Sequence, residues 1–429
     1  MNQDPLLANR RAFLKAGTLA AAASTLPSVL YAQAAGSDEI KIALIGCGGR
    51  GTGAAAQSLS VPGTKLVAMA DAFPDNIERA YDALKKQSGD RVDVPAARRF
   101  AGFDAYKGAI DAADVVLLCT PPGFRPAHFE YAVKQGKHVF MEKPVAVDGP
   151  GIRKIIEAAK LADEKKLKVV CGLQRRYQDS YLQTLEQVRN GAIGDFVSSQ
   201  VHWVSGGVWV RDRQPGMKEM EYQMRNWYYF NWICGDHICE QHVHNLDVSN
   251  WFKGAHPVKA VGMGGRTKRV GKNYGEIFDH FYVEYTYADG TVMNSQSRHW
   301  DGVWARVSEA VNGTKGSAFP GVIKDRAGKI VWRFRGTDND AYQTEHDRLY
   351  DFIRKDTPNN DAHRTAESTL TAILGRMACY SGAEVTWDQA LNSQLDTMPK
   401  SLTWDADPGP KPGADGMYPC PIPGEGTYV

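Results

Sequence analysis

The stretch EIKIALIGCGGRG, residues 39–51, admits few folds. An apolar run, Ile42 to Ile45, passes directly into Gly46, Gly48 and Gly51 in the pattern G-x-G-x-x-G, and the helix-forming TGAAAQSL follows. Glycines at these three places let a strand turn tightly into a helix, let the backbone approach a pyrophosphate closely, and let the helix pack on the strand. The helix N-terminus then aims unpaired N–H groups at an anion. Gly49 and Arg50 lie inside the same loop and count with it as candidate cofactor contacts.

The following residues extend this into a parallel α/β unit. KLVAMAD reads as a second buried strand and ends in Asp71, twenty residues past Gly51, where a carboxylate binds adenosine ribose hydroxyls. That carboxylate repels a 2′-phosphate and the adjacent AFP offers no arginine, so NAD is expected rather than NADP. DAADVVLLCTPP supplies another strand, Val115 to Cys119, stopped by Thr120, Pro121 and Pro122 where doubly wound sheets place ligands. A helix, a cap at Gly136, a strand and a turn through Glu142, Lys143 and Pro144 complete the alternation. The expected fold class is α/β, a doubly wound parallel sheet, over residues 38–150.

Beyond residue 150 the pattern changes. Helical periodicity in GIRKIIEAAKLADEKK and SYLQTLEQVRNGAIG gives way after Gly194 to strand signals in DFVSSQVHWV, DHFYVEYTYADGTVMNSQS and KIVWRFRG, with a hairpin turn at Asp289-Gly290. An α+β domain with a largely antiparallel sheet is expected over 151–390. Glu345 and His346 are expected on the exposed face of an amphipathic helix. Residues 391–429, rich in Pro and Gly, read as an extended arm along this domain or around a neighbouring subunit. The chain of 429 residues is 43% hydrophobic, and 51 basic against 49 acidic residues leave +2. This balance offers nothing to nucleic acid. Seven cysteines without regular spacing read as buried thiols.

At the N-terminus, Arg10-Arg11, a weakly apolar run and Ala32-Gln33-Ala34 resemble a twin-arginine export signal over residues 1–34, placing the mature protein in the periplasm with no membrane span. Further on, GDHICEQHVHNLD sets His237, Glu240, His244 and Asp247 on one face of a helix and His242 on the opposite side. The spacing suits either proton transfer or facial metal ligation by His237, Glu240 and His244. The aromatic stretch before it, with Trp203, Trp209, Trp227, Tyr228, Tyr229 and Trp232 among Arg211, Arg213, Arg225 and Asn226, suits sugar rings or a packed interface.

The glycine loop, Asp71, TPP, EKP and the later QRRY, in this order, resemble the glucose-fructose oxidoreductase and inositol dehydrogenase family (Gfo/Idh/MocA) over about residues 38–390. The resemblance implies that Lys143 sits by the nicotinamide and the substrate hydroxyl. It implies a proton-transfer face of Glu240, His244 and Asp247, without a metal, in which Glu240 departs from the commoner Asp. His244 is then the expected base, with Asp247 or Glu240 orienting its imidazole. His237, Arg176, Arg225 and Trp227 are candidate substrate contacts. The implied activity is NAD-dependent oxidation of a sugar, glycoside or cyclitol hydroxyl by a homo-oligomer that retains its cofactor. The alternative is a glycosidase or lyase working through a transient ketone.

Overall fold

The computed structural model describes residues 39–429. The leader expected over residues 1–34 lies outside the described residues. The first domain alternates β1 (Ile40–Ile45), α1 (Gly49–Ser60), β2 (Thr64–Asp71), α2 (Pro74–Ser88), β3 (Arg99–Ala101), α3 (Ala105–Asp111), β4 (Val115–Leu118), α4 (Arg125–Lys134), β5 (His138–Met141), α5 (Gly149–Glu164) and β6 (Val169–Cys171). All six strands are parallel, in the order β3-β2-β1-β4-β5-β6. The continuous apolar runs follow from burial on both faces: Ile42 to Ile45 and Val115 to Leu118 are at most 1% exposed. Crossovers leave β1 in opposite directions, opening a crevice at the carboxyl ends of β1 and β4.

The expected boundary at residue 150 falls too early. After α5 the chain returns as β6, which pairs in parallel with β5 and would otherwise leave that edge open. The sheet therefore ends at Cys171.

The second domain contains α6 (Asp179–Arg189), β7 (Phe196–Ser205), α7 (Glu219–Arg225), α8 (Asn231–Cys234), α9 (Asp236–Glu240) and α10 (Val243–Lys253). Strands β8 (Lys259–Gly265), β9 (His280–Thr286), β10 (Val292–His299), β11 (Arg306–Gly313), β12 (Gly316–Phe319), β13 (Val322–Asp325) and β14 (Ile330–Arg333) come next. Helices α11 (Ala341–Arg354) and α12 (Ala362–Ser381), strand β15 (Val385–Thr386) and helix α13 (Trp387–Asn392) complete it. The nine strands are ordered β14-β13-β12-β11-β7-β10-β9-β8-β15, antiparallel except where β10 pairs with β7. The expected hairpin joins β9 to β10, with Gly290 at φ 81°.

Helix α11 does not present Glu345 and His346 to solvent. Both are fully buried, because α11 packs back on α1 of the first domain, where Leu349 and Tyr350 join Ile42, Leu44 and Leu59 in one core. His346 Nδ1 lies 2.9 Å from Ser58 Oγ, and its ring packs 4.2 Å from that of Phe140. Amphipathic periodicity identifies the helix, yet it does not reveal that two surfaces cover it. The C-terminal arm lies along its own chain: Trp404 packs on Phe73 and Phe103 at ring separations of 5.1 and 4.7 Å, and Tyr418 on Phe230 at 5.0 Å. All seven cysteines are free thiols. No described helix is long and apolar enough to cross a membrane.

Candidate active site

A groove of about 1310 Å³ runs over the carboxyl ends of the parallel sheet. It reaches from Asp71 at the end of β2 to Lys143 beyond β5, three strand spacings or roughly 14 Å. Its middle is the glycine loop. Gly46 has φ 96°, and a Cβ there would stand 2.5 Å from the Cys119 carbonyl carbon. A Cβ on Gly51 would stand 1.9 Å from the Gly46 oxygen, so both positions exclude side chains by packing. At Gly48 and Gly49 a Cβ would meet nothing within 4 Å. These two glycines keep the floor of the groove bare in front of α1, whose N-terminus has no side-chain cap. The loop fits a dinucleotide pyrophosphate.

Asp71 is tied into the turn around it. Its Oδ2 accepts from Cys47 N at 2.7 Å, and its Oδ1 from Phe73 N at 2.9 Å and Asn76 Nδ2 at 3.1 Å. Burial pushes its carboxyl above the usual range, while these donors pull it back. Thr120 and Pro121 line the groove beside the loop, and Thr120 Oγ1 lies 3.2 Å from His128 Nδ1. Arg125, which sequence reasoning passed over, is 1% exposed and donates to the carbonyls of Leu118 and Thr120, fixing the TPP turn.

Arg50 also lines the groove, but its guanidinium is engaged by protein carboxylates. Nε donates to Glu142 Oε1 at 2.5 Å and Nη2 to Glu345 Oε1 at 3.1 Å. Burial and the neighbouring Glu142 push the Glu345 carboxyl well up, and Arg50 works against them. This residue had no local signal, since it stands 295 positions from Arg50.

At the far end, Lys143 is 11% exposed and held by a single residue of the second domain. Its ammonium donates to the main-chain carbonyl of Glu240 at 2.6 Å and to Glu240 Oε1 at 3.2 Å. The helix pattern breaks to permit this. The stretch GDHICEQHVHNLD is not one helix: α9 ends at Glu240 and α10 begins at Val243, and His244 N turns to the Gln241 carbonyl at 3.4 Å. The Glu240 carbonyl, which a continuous helix would have given to His244 N, is left for the lysine. Burial raises the Glu240 carboxyl and Lys143 lowers it, while its Oε2 is buried without a protein partner.

His244 lines the groove with Lys143, Glu240 and Gln241. Its imidazole lies beside Trp203, ring centroids 6.2 Å apart and planes 25° from parallel, and its buried Nδ1 has no protein partner. Burial, then Lys143 and Arg175, hold its pKa well below the ordinary histidine value. The imidazole is therefore unprotonated at neutral pH, as a general base must be, while the same burial and cations make it a weak one.

Several expected contacts are absent. Asp247 does not orient His244: it is 1% exposed and takes Arg176 in a forked pair at 2.8 to 3.1 Å, with Ser368 Oγ at 2.7 Å. Arg176 is thereby a tie between QRRY and α10 and does not line the groove. Glu240 faces the lysine, not the imidazole. His237 is fully buried behind the site, 3.0 Å from Asp236 and 3.2 Å from Ser297, with His299 stacked at 4.5 Å. It cannot reach a substrate in the groove. Since His237, Glu240 and His244 do not converge, the facial triad does not form, and among the described residues no group of three or more His, Cys, Asp or Glu is placed to hold a metal ion.

The aromatic stretch divides. Trp203, Trp209, Trp227 and Arg211 line the groove, whereas Tyr228, Tyr229, Trp232 and Asn226 are buried. Arg225 lines it too, but at the adenosine end, paired with Asp75 at 3.4 Å and lying over Phe73. The packing reading holds for the buried residues, and the others stand in the groove.

Comparisons with known proteins agree with this geometry. Residues 40–173 match the family model described as oxidoreductase family, NAD-binding Rossmann fold, and residues 185–379 match its C-terminal alpha/beta domain. An inositol 2-dehydrogenase of Rhizobium meliloti is 25% identical over 222 residues, 52% of this chain and 57% of that protein. A glycosyl hydrolase family 109 protein of Porphyromonas gingivalis is 28% identical over 168 residues, 38% of this chain and 34% of that protein. The matches therefore span about a third to just over half of these relatives' lengths. The fold is shared with a scyllo-inositol dehydrogenase of Lactobacillus casei solved with bound NAD(H) and scyllo-inositol, at 20% identity and a TM-score of 0.60, covering 81% of this chain and 99% of that one. A bare-floored glycine loop facing a lysine of EKP, and two matched domains on either side of the groove, make this chain a member of the Gfo/Idh/MocA oxidoreductase family.

Proposed function

We propose that this chain oxidises a secondary hydroxyl of a sugar, glycoside or cyclitol with a retained NAD. The observation that carries the reading is the pairing, at one end of a dinucleotide-sized groove, of a neutral His244 with a Lys143 whose position Glu240 sets. Bound NAD supplies the hydride acceptor. Gly48, Gly49 and the first turn of α1 would hold its pyrophosphate, and Asp71 its adenosine ribose, favouring NAD over NADP. His244 takes the hydroxyl proton. Two of the three ammonium hydrogens of Lys143 go to Glu240, and the third is available to the substrate oxygen as charge develops on it. Trp203 beside His244 offers a flat apolar face to the C–H side of a ring.

The glycosyl hydrolase family 109 relatives favour a second reading on the same residues. Proton removal next to a transient ketone would expel the aglycone and leave an enone, water would add to that enone, and the ketone would then be reduced again, giving net hydrolysis and no net oxidation. Export through the twin-arginine signal at Arg10-Arg11 and assembly as a homo-oligomer belong to this proposal. A cofactor loaded before export needs no external pool if each cycle returns it to NAD, by passing the hydride to a second carbonyl substrate in the first reading and back to the transient ketone in the second.

The test begins with protein purified without added nucleotide and denatured, the released nucleotide being identified by mass spectrometry. Stoichiometric NAD or NADH is expected, and an empty protein counts against retention. With paired sugars and aryl glycosides as substrates, keto-sugar marks the oxidoreductase and free aglycone without net oxidation marks the glycosidase. Lys143→Ala and His244→Ala should each lose about 10²-fold or more in turnover with NAD still bound. Near-normal turnover in either variant removes that residue from the mechanism.

A further inference from the structure

The adenosine end of the groove is closed by residues that the dinucleotide-binding domain does not contain. Arg225, at the end of α7, reaches across to the start of α2, where its guanidinium carbon lies 4.0 Å from the Phe73 ring centroid. Its Nη2 is 3.4 Å from Asp75 Oδ1, and its Nε bonds Glu221 at 3.1 Å. Phe73 follows Asp71 by two positions and is fixed through its own N–H to that carboxylate. The Phe73 ring also packs on Trp404 of the C-terminal arm, which touches Phe103 as well. The arm is in turn fastened to the α7 region: Lys218 pairs with Asp405, and Gln223 Nε2 donates to the Pro410 carbonyl at 2.7 Å. Phe73, Phe103 and Arg225 all line the groove, and the Arg225 side chain is 32% exposed.

A guanidinium is planar, so one resting on Phe73 has a second face for another flat ring. An aromatic base is such a ring, and stacking with cation–π attraction holds it without reading its edge. Resting on the reading that the groove takes NAD, we propose that Arg225 and Phe73, backed by Trp404, form the adenine subsite, and that the dinucleotide leaves only when the contact between α7 and α2 opens. Retention then depends on the second domain and the arm rather than on the glycine loop alone.

The experiment compares wild type with Arg225→Ala, Arg225→Lys and Trp404→Ala. The readouts are displacement of bound NADH followed by its fluorescence, affinities for ADP-ribose and for nicotinamide mononucleotide, and melting temperature without nucleotide. Arg225→Ala is expected to release NADH about tenfold faster and to bind ADP-ribose about tenfold more weakly, with nicotinamide mononucleotide unchanged. Arg225→Lys keeps the charge toward Asp75 but lacks the planar face, and should show most of the same loss. Trp404→Ala should show a smaller one. Unchanged ADP-ribose affinity in Arg225→Ala, with a lowered melting temperature, overturns the proposal and leaves Arg225 as a tie between domains. Wild-type protein that binds neither NADH nor ADP-ribose overturns the cofactor reading itself. The two failures are thus distinct.

Discussion

Among single residues, the acid three positions after His244 shows how far a motif carries. Asp247 stands where the family resemblance places an orienting acid, but its two oxygens are taken by Arg176 and Ser368. Its work is to join QRRY, α10 and α12. Removing one partner of a buried ion pair leaves a charge uncompensated, at a cost of about 3–5 kcal/mol. Asp247→Ala is accordingly expected to lose stability of this order by denaturant titration, while folded protein keeps its NAD affinity. Full stability with collapsed turnover would return Asp247 to the chemistry. Glu240 shows the converse. Its extra methylene over Asp coincides with a carboxylate that bonds Lys143, so the departure from the family pattern acts on the lysine rather than on the imidazole.

The elements around the groove are set by small backbone decisions. The break between α9 and α10 frees one carbonyl for Lys143, and no periodicity in GDHICEQHVHNLD announces it, because residues on either side remain helical. The glycine loop was legible because its constraint is local and steric. Its glycines nevertheless differ in kind. Gly51→Ala would drive a Cβ into the Gly46 carbonyl, and is expected to unfold the first domain or lower its melting temperature sharply. Gly48→Ala meets no protein atom and should melt as wild type does, yet bind NAD about tenfold or more weakly. Calorimetry with and without NAD separates the two. Equal behaviour of the variants would mean that the bare floor is not a binding surface. Helix α11 was legible as a helix, but its burial was not, since the surface covering it comes from almost 300 residues away.

For the whole molecule, burial of histidines gives a pH dependence whose sign can be worked out. Burial, then Arg125, pushes His128 down to about 3, and burial also lowers His242, His244, His299 and His346. Each is neutral when folded and titrates near 6.5 when unfolded, so the unfolded chain binds more protons below that pH. Burial raises Glu240, Glu309 and Glu345, and Glu276 to about 7, which opposes the histidines while those carboxyls differ between states. Below pH 4.5, the ordinary value for Glu, those four carboxyls are protonated both folded and unfolded and drop out. Stability should then fall as pH drops from about 4.5 toward 3, by up to about 1.4 kcal/mol per pH unit for each histidine still neutral when folded. Against burial, hydrogen bonds hold the Asp279 and Asp338 carboxyls low and add a fall of the same sign, so denaturant midpoints at pH 4.5, 4 and 3 measure the sum, and a flat profile would mean that these rings titrate normally.

The sequence by itself determined what short-range sterics and periodicity can encode. It determined the strand-glycine-helix turn, the parallel alternation and the change to an antiparallel sheet after Gly194, while the places of Lys143 and His244 came from the resemblance to a known family. Tertiary structure decided which polar groups meet: Lys143 with Glu240, Asp247 with Arg176, Arg50 with Glu345, Arg225 with Asp75. Each of these pairs joins positions at least 71 residues apart. A charged side chain of either sign fits an exposed helix face equally well. Only the packing of two domains and an arm against one another selects the partner that compensates its burial.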